Sequence, residues 1–197
     1  MTFRPLVKVC GIKLYEDAEM LMRYDPDMLG VVLDPSIPRA GDETLLRKMD
    51  GLGVERVGVY TSIEQVRSSP LYEDIVQLHF DHGRDEIELV HETGHKVMSV
   101  VRYTTPSEII GKFEELRTYG SEFVLLEKKD GIVSAGNALS TLLMETDMGI
   151  SGKISSDNIQ YLLQFLPAMV DLSSSLEKYP GKKDLLKVQD FFRRMSS

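Results

Sequence analysis

The stretch Leu6-Val7-Lys8-Val9-Cys10-Gly11-Ile12 begins the regular pattern of this chain and contains its only cysteine. Its short apolar run is typical of a strand that is buried on both faces of a parallel sheet. A free cysteine is most often a small buried hydrophobe. At the end of such a strand, followed by a glycine that admits close backbone approach, the thiol is also a candidate for proton transfer.

Seven further strand-like runs follow, and segments with helical spacing separate them. The runs are Met28–Leu33, Val54–Tyr60, Asp74–His79, Lys96–Arg102, Glu122–Glu127, Asp147–Ile150 and Ala168–Leu172. Helices are predicted to begin near Pro106 and Ser155, and the last one carries an apolar stripe from Leu185 to Met195. Gly53, Gly94 and Gly120 stand between a helical stripe and the next strand, where a left-handed residue ends many helices.

Strict alternation of strands and helices predicts parallel pairing with right-handed crossovers. Eight such units favour an α/β fold of one domain over residues 1–197, a (β/α)8 TIM barrel with short loops. An open doubly wound sheet is the alternative. It is disfavoured because no Gly-x-Gly-x-x-Gly follows the first strand.

The composition restricts the class of partner. The formal net charge is −8, which argues against nucleic acid. No run approaches the roughly 20 apolar residues of a membrane span, and Met1–Pro5 lacks the apolar core of a secretory signal. A single cysteine permits no internal disulfide, as suits a reducing compartment. We therefore expect a cytoplasmic protein, a monomer or a homodimer, that acts on a small molecule without contacting a membrane.

In a barrel of this kind, the active site lies at the C-terminal ends of the strands. The candidate residues at those ends are Cys10, Asp34, Tyr60, His79, Arg102, Glu127 and Asp171. Each of them separately fits a structural role, such as a loop cap, an interior histidine or a paired arginine. Their convergence on one rim indicates chemistry, because buried polar groups are costly without partners.

Anion binding is indicated by the loops after strands seven and eight, which are the usual phosphate site of this fold. The first reads Ser151-Gly152-Lys153, and the second runs from Asp171 through Ser173, Ser174 and Ser175. Two ordinary turns are the alternative interpretation.

Two other features have simple interpretations. His91 and His95 are four residues apart, but they lack cysteine partners and a companion Glu motif, so surface positions are favoured over a metal site. The segment Glu177–Asp184 contains a Pro-Gly turn signal and a lysine pair before the last helix. Its simplest interpretation is a solvated turn with Asp184 as the helix cap.

Motifs along most of the chain, in order, resemble those of the phosphoribosylanthranilate isomerase family of tryptophan biosynthesis. The matching pieces are Lys8–Ile12, Asp17-Ala18, Gly30 through Ser36-Ile37-Pro38-Arg39, Val57-Gly58-Val59, Val76-Gln77-Leu78-His79, Val170–Ser174, Glu177 and Pro180–Asp184. The resemblance implies an Amadori rearrangement of a phosphosugar by general acid–base catalysis, with no metal and no organic cofactor. A related phosphosugar isomerase and a catalytically impaired barrel that serves as a binding partner remain alternatives.

The resemblance also assigns roles to residues. Cys10 matches the general base, and Glu127 occupies the position of the general acid, which is normally Asp. Arg39, His79 and Asp171 are assigned to substrate binding, and Gly152, Ser173 and Ser174 to the phosphate site. The chain departs from the family pattern at Lys13, Phe80, Lys128–Asn137, Ser151 and Ser175, and it has no Trp.

The proposed roles make demands on the surroundings of the two catalytic candidates. An acid that works near neutral pH needs a pKa raised by burial or by a negative neighbour, which we expect at Glu127. A base made from a thiol benefits from a positive neighbour. We expect Lys8 to point away from Cys10, and Lys13 to approach it from the loop.

Overall fold

Eight parallel strands close into a barrel in chain order in the computed structural model, which describes residues 4–196. They are β1 (Leu6–Cys10), β2 (Met28–Val32), β3 (Glu55–Tyr60), β4 (Ile75–Leu78), β5 (Lys96–Arg102), β6 (Phe123–Glu127), β7 (Gly149–Ser151) and β8 (Met169–Leu172). The barrel is closed because β1 pairs with both β2 and β8. The predicted fold class is confirmed. The predicted domain also includes residues 1–3 and 197, which lie outside the described residues.

Eight α-helices surround the barrel within these residues. They are α1 (Tyr15–Leu21), α2 (Glu43–Lys48), α3 (Ile63–Ser68), α4 (Arg84–Glu92), α5 (Pro106–Thr118), α6 (Ala138–Glu145), α7 (Ile159–Leu163) and α8 (Leu185–Met195). The side chains of Asp42, Ser62 and Asp184 cap α2, α3 and α8. Within residues 4–196, none of the helices combines the length and apolar character that a membrane crossing requires.

The helix boundaries agree with the sequence in most places. Gly53, Gly94 and Gly120 adopt φ of 72°, 84° and 103° after their helices, as predicted. Helix α7 begins at Ile159, four residues after the expected start at Ser155. The chain already turns at Ser155, whose carbonyl accepts from the N–H groups of Asn158 and Ile159 and whose N–H donates to the Asn158 side chain, but regular α-helix begins only after this first turn.

Alternation along β1 divides its side chains between two layers. Val7 and Val9 belong to the apolar layer between barrel and helices, whereas Cys10 belongs to the core inside the barrel. Lys8 is fully buried and lies on the same side as Cys10. Polar groups therefore lie inside the barrel directly below its C-terminal end.

A short antiparallel ribbon precedes α8 and was not predicted. It joins β9 (Glu177–Tyr179) to β10 (Lys182–Lys183) through the Pro180-Gly181 turn. Its backbone is attached to α1, because the N–H of Lys183 donates to Asp17 at 2.8 Å. The interpretation as a solvated turn is wrong for Lys183, which is 3% exposed, although Asp184 is the helix cap as expected.

Candidate active site

A cavity of about 330 Å³ opens at the C-terminal ends of the strands, within the size range of small-molecule sites. All eight predicted site residues line it: Cys10, Arg39, His79, Glu127, Gly152, Asp171, Ser173 and Ser174. They come from β1, β6, β8 and the loops after β2, β4, β7 and β8. The barrel therefore brings together residues that are far apart in the sequence.

Three of the seven candidates at strand ends do not line this cavity. Tyr60 points to the outer layer, because Val57 and Val59 already occupy the inward positions of β3, and its hydroxyl donates to Glu73 at 2.6 Å. Asp34 accepts hydrogen bonds from Ser36 and Thr61. Arg102 lines a neighbouring hollow instead.

The thiol of Cys10 shares the barrel interior with a buried ion pair. Lys8 Nζ donates to Asp171 Oδ1 at 2.9 Å, and β1 and β8 place these residues side by side in register. On β2, Gly30 leaves room for both side chains, since a Cβ there would lie 3.1 Å from Cys10 Sγ and 3.3 Å from Lys8 Nζ. Burial lowers the pKa of Lys8, but the charges of Asp171 and Cys10 and hydrogen bonds to both raise it overall.

The expected orientation of Lys8 is wrong. Residues two apart on a strand point to the same side, so Lys8 lies on the side of Cys10. Lys13 does not line the cavity, and its Nζ lies 3.4 Å from the carbonyl oxygen of Pro38. The positive neighbour of the thiol is therefore a residue of the same strand.

A second buried lysine holds the backbone of Cys10. Lys183 Nζ donates to the Cys10 carbonyl at 2.6 Å and lies 3.3 Å from Glu177 Oε1. Glu177 also pairs with Arg39 at 3.5 Å, and Arg39 Nη1 donates to Ser173 at 3.3 Å. Burial lowers the pKa of Lys183, opposed by the charge of Glu177. The ribbon thus connects the thiol's backbone to the arginine at the cavity wall.

Glu127 has a different environment from the one its proposed role requires. Its Oε1 lies 3.5 Å from His79 Nε2, and Gln77 Nε2 lies 3.4 Å from His79 Nδ1. The hydrogen bond from His79 lowers the pKa of Glu127, although burial opposes this shift. The expected rise in the pKa of Glu127 is therefore wrong for the free protein.

The loops after β6 and β7 are connected through their backbones. Gly152 has φ of 115°, and a Cβ at this position would lie 2.0 Å from the Lys128 carbonyl oxygen. The N–H of Ile132 donates to the carbonyl of Gly152 at 3.0 Å. Lys153 follows in a left-handed conformation, with φ of 50°, which is unusual for a residue other than glycine.

Comparisons with known proteins agree on one family. A family model described as N-(5'-phosphoribosyl)anthranilate (PRA) isomerase matches residues 7–194. The N-(5'-phosphoribosyl)anthranilate isomerase of Thermoplasma volcanium is 38% identical over 189 residues, 96% of this chain and 95% of that protein. This chain belongs to the phosphoribosylanthranilate isomerase family.

Two solved structures of phosphoribosylanthranilate isomerases have the same architecture. One, of monomers generated from the dimeric Thermotoga maritima enzyme, has a TM-score of 0.81 and 26% identity, covering 98% of each chain. Another, in complex with reduced 1-(o-carboxyphenylamino)-1-deoxyribulose 5-phosphate, has a TM-score of 0.79 and 23% identity, also covering 98% of each chain. The likeness to the second shows the fold alone.

Within this phosphoribosylanthranilate isomerase barrel, four buried polar atoms at the cavity have no hydrogen-bond partner among the described residues. They are Arg39 Nε, Gln77 Oε1, Glu127 Oε2 and Ser175 Oγ. Buried polar atoms are normally paired, so an unpaired set that shares one cavity indicates a polar ligand. The set contains donors and acceptors, as a sugar with an ionised group would require.

Several cavity residues were not singled out from the sequence. They are Gln77 and Lys129, together with residues such as Thr61 and Ile154. Gln77 had a usable signal, since it precedes His79 by two positions on one strand and so shares its direction. Within residues 4–196, no group of three His, Cys, Asp or Glu side chains is arranged to hold a metal. That no metal takes part stays a prediction.

Proposed function

We propose that this chain converts N-(5'-phosphoribosyl)anthranilate to 1-(2-carboxyphenylamino)-1-deoxyribulose 5-phosphate in tryptophan biosynthesis. The observation that carries the proposal is the meeting of Cys10 on β1 and Glu127 on β6 at one cavity. The membership of the family supports the reaction, and the residue roles are those that the resemblance implies, supported by the geometry of the cavity. We place the reaction in the cytoplasm, with the described barrel acting as one domain.

The first step opens the furanose ring. Glu127 gives a proton to the ring oxygen, the C1–O bond breaks, and the nitrogen lone pair forms a C1=N iminium. The unpartnered Glu127 Oε2 is the oxygen available to the substrate. His79 lowers the pKa of Glu127 before substrate binds. The negative phosphate and carboxylate of the substrate act in the opposite direction, so Glu127 takes up its proton as the substrate binds.

The second step moves the carbonyl. The Cys10 thiolate removes the proton from C2, and the electron pair forms a C1=C2 bond as the iminium nitrogen becomes neutral. The enol at C2 then gives its hydroxyl proton to the Glu127 carboxylate while the protonated Cys10 returns its proton to C1, which leaves a ketone at C2 and restores both groups. Every hydrogen is conserved and no redox partner is required.

Binding is divided between the two ends of the substrate. Arg39 receives the anthranilate carboxylate, because a planar guanidinium suits a carboxylate. Gly152, Ser173 and Ser174 receive the phosphate in the loops after β7 and β8. Asp171 and His79 face the sugar between them.

The test is turnover of two substrates by the purified chain, followed by NMR detection of the C2 ketone. N-(5'-phosphoribosyl)anthranilate should be converted, and its aniline counterpart should show a kcat/KM lower by about 10²-fold, since it lacks the carboxylate that pairs with Arg39. Equal rates would indicate a related phosphosugar isomerase. No turnover of either, with no rescue of a tryptophan auxotroph that lacks the isomerase, would indicate a catalytically impaired barrel.

A further inference from the structure

The buried lysine of β1 has no function in the chemistry described so far. Lys8 is 0% exposed and does not line the cavity, so it does not touch the substrate. A lysine is almost never fully buried unless it is paired, because taking an ammonium out of water is expensive. Two nonpolar residues of similar volume would fill the same space without that cost. The charge of Lys8 therefore calls for an explanation beyond packing.

The groups around Lys8 show what its charge acts on. Its Nζ binds Asp171 at 2.9 Å, and a Cβ on Gly30 would lie 3.3 Å from Nζ and 3.1 Å from Cys10 Sγ, so both atoms lie close to the same point of β2. Cys10 is one of the two groups that raise the pKa of Lys8 by charge and hydrogen bonding, and Asp171 is the other. An ammonium next to a thiol in a low-dielectric interior favours the thiolate.

We propose that Lys8 is a positioning residue that stabilises the thiolate of Cys10 and holds Asp171 beside it. The proposal rests on the role of Cys10 as the base of the proposed function. The ion pair with Asp171 keeps the ammonium in place, and Gly30 keeps the approach to Sγ clear. The ammonium lies on the interior side of the sulfur, so the cavity side of the thiol stays free for the C2 proton.

Other charged groups also lie near Cys10 and contribute to the electrostatic environment of its thiol. Lys183 on β10 donates to its carbonyl, and Glu177 on β9 pairs with Lys183. Arg39 approaches from the loop after β2 and pairs with Glu177, while Gly30, the β2 residue in register with Cys10, carries no charge. Lys183 acts on the backbone, and its charge is compensated by Glu177. Lys8 shares the interior side of β1 with the sulfur, and its counter-ion Asp171 faces the cavity.

The experiment uses the fact that Cys10 is the only cysteine, so alkylation by iodoacetamide reports on this thiol alone. The rate is measured from pH 5 to 10 for the wild-type chain and Lys8→Met. The variant should show a midpoint higher by about one pH unit and a rate about tenfold lower at pH 7. The high-pH plateau should stay within about twofold, because access to the sulfur does not change.

Two variants sharpen the result. Lys13→Met removes a lysine from the loop after Cys10, outside the cavity, and should leave the profile unchanged. Asp171→Asn removes a nearby negative charge and should move the midpoint to lower pH. A folded Lys8→Met with the wild-type midpoint would overturn the proposal, as would a change confined to the plateau, which a purely structural role would produce.

A second measurement does not depend on Lys8→Met folding. In the wild-type chain, the NMR signal of the Lys8 ε-carbon should shift with the same pH midpoint as the alkylation. Cys10→Ser, which keeps the shape of the side chain, should lack that inflection. A Lys8 signal that ignores the titration of Cys10 would refute the coupling. Neither the alkylation rate nor the NMR signal depends on turnover of a substrate. A failure of this proposal can therefore be told apart from a failure of the proposed function, which is tested by turnover.

Discussion

The two ends of the barrel both carry many charged residues, but they differ in how many buried polar atoms are left without a partner. At the N-terminal end, Arg56 binds Asp74 at 2.8 and 2.9 Å and Asp50 at 2.9 Å, and Lys96 binds Glu55 at 2.9 Å. At the C-terminal end, four buried polar atoms are left without partners around one cavity. Paired charges contribute to stability, whereas the unpaired groups are available to a ligand.

An unpaired atom alone does not make a site, as two glutamates show. Both Glu73 and Glu127 have a carboxylate oxygen without a partner. Glu73 is 3% exposed, its other oxygen accepts from Tyr60, and burial raises its pKa. Glu127 lines the cavity, and His79 lowers its pKa. Glu73 borders a hollow too, but among the described residues it contributes the one unpaired buried atom there, whereas Glu127 shares its cavity with unpaired atoms of Arg39, Gln77 and Ser175.

The largest expected effect lies at the C-terminal end. Cys10→Ala and Glu127→Gln should each lower kcat by about 10²-fold or more, because each removes one group that transfers a proton. Steady-state kinetics at saturating substrate measures the loss, and thermal unfolding should show that the fold is retained. Near-wild-type kcat in either folded variant would remove that residue from its assigned role.

A stability effect without a kinetic one is expected at the N-terminal end. Arg56→Met leaves Asp74 and Asp50 without their partner, and the free energy of unfolding should fall by about 1–2 kcal/mol, a value reduced for the partial exposure of the pairs. Denaturant unfolding measures it, while kcat should not change. The matched control is Lys96→Met at an exposed pair, with a change within about 0.5 kcal/mol. A tenfold kinetic defect in Arg56→Met would break the contrast between the two ends.

A smaller effect is expected from His79→Asn. His79 lowers the pKa of Glu127, so its removal should raise that pKa and keep the carboxyl group protonated to higher pH. The basic limb of the kcat/KM profile should therefore move up by about half to one pH unit. His91→Asn is the matched control, since His91 lies at the same 3.5 Å from a surface carboxylate, Glu122. A limb that moves to lower pH would contradict the assignment of Glu127 as the acid.

The smallest expected effect is on the pH dependence of the unfolding free energy, to which the two glutamates should contribute in opposite ways. The pKa of Glu73 is raised in the folded chain, so its favourable contribution is complete below about pH 4.5 and is lost as the pH rises through the folded value. The pKa of Glu127 is lowered, so its contribution is present above about pH 4.5 and is lost as the pH falls.

Glu73→Gln and Glu127→Gln should therefore change the slope of unfolding free energy against pH in opposite directions. Urea unfolding of both variants and the wild type from pH 3 to 8 measures these slopes. Changes of the same sign in both variants would show that burial, and not the partner, determines the direction of both pKa shifts.

The cavity residues were predictable because the barrel has a simple rule. Once alternation established eight parallel strands, the residues at the strand ends could be expected on one rim, and Cys10, His79, Glu127 and Asp171 do line one cavity. Tyr60 falls outside it because it is one residue beyond the inward-pointing Val59. Asp34 lies in the loop after β2, where its carboxylate accepts hydrogen bonds from Ser36 and Thr61.

The sequence by itself determined the order of the eight barrel strands and their helices, the closed barrel, and the residues available for acid–base chemistry. It did so because those features depend on local periodicity and on short motifs. Only the tertiary structure decided that Lys8 meets Asp171, 163 positions away, that Lys183 is buried against Cys10, and that His79 sets the direction of the pKa of Glu127. The physical reason is that charge and burial act through distances in space, which are decided by the register between strands and by the packing of loops.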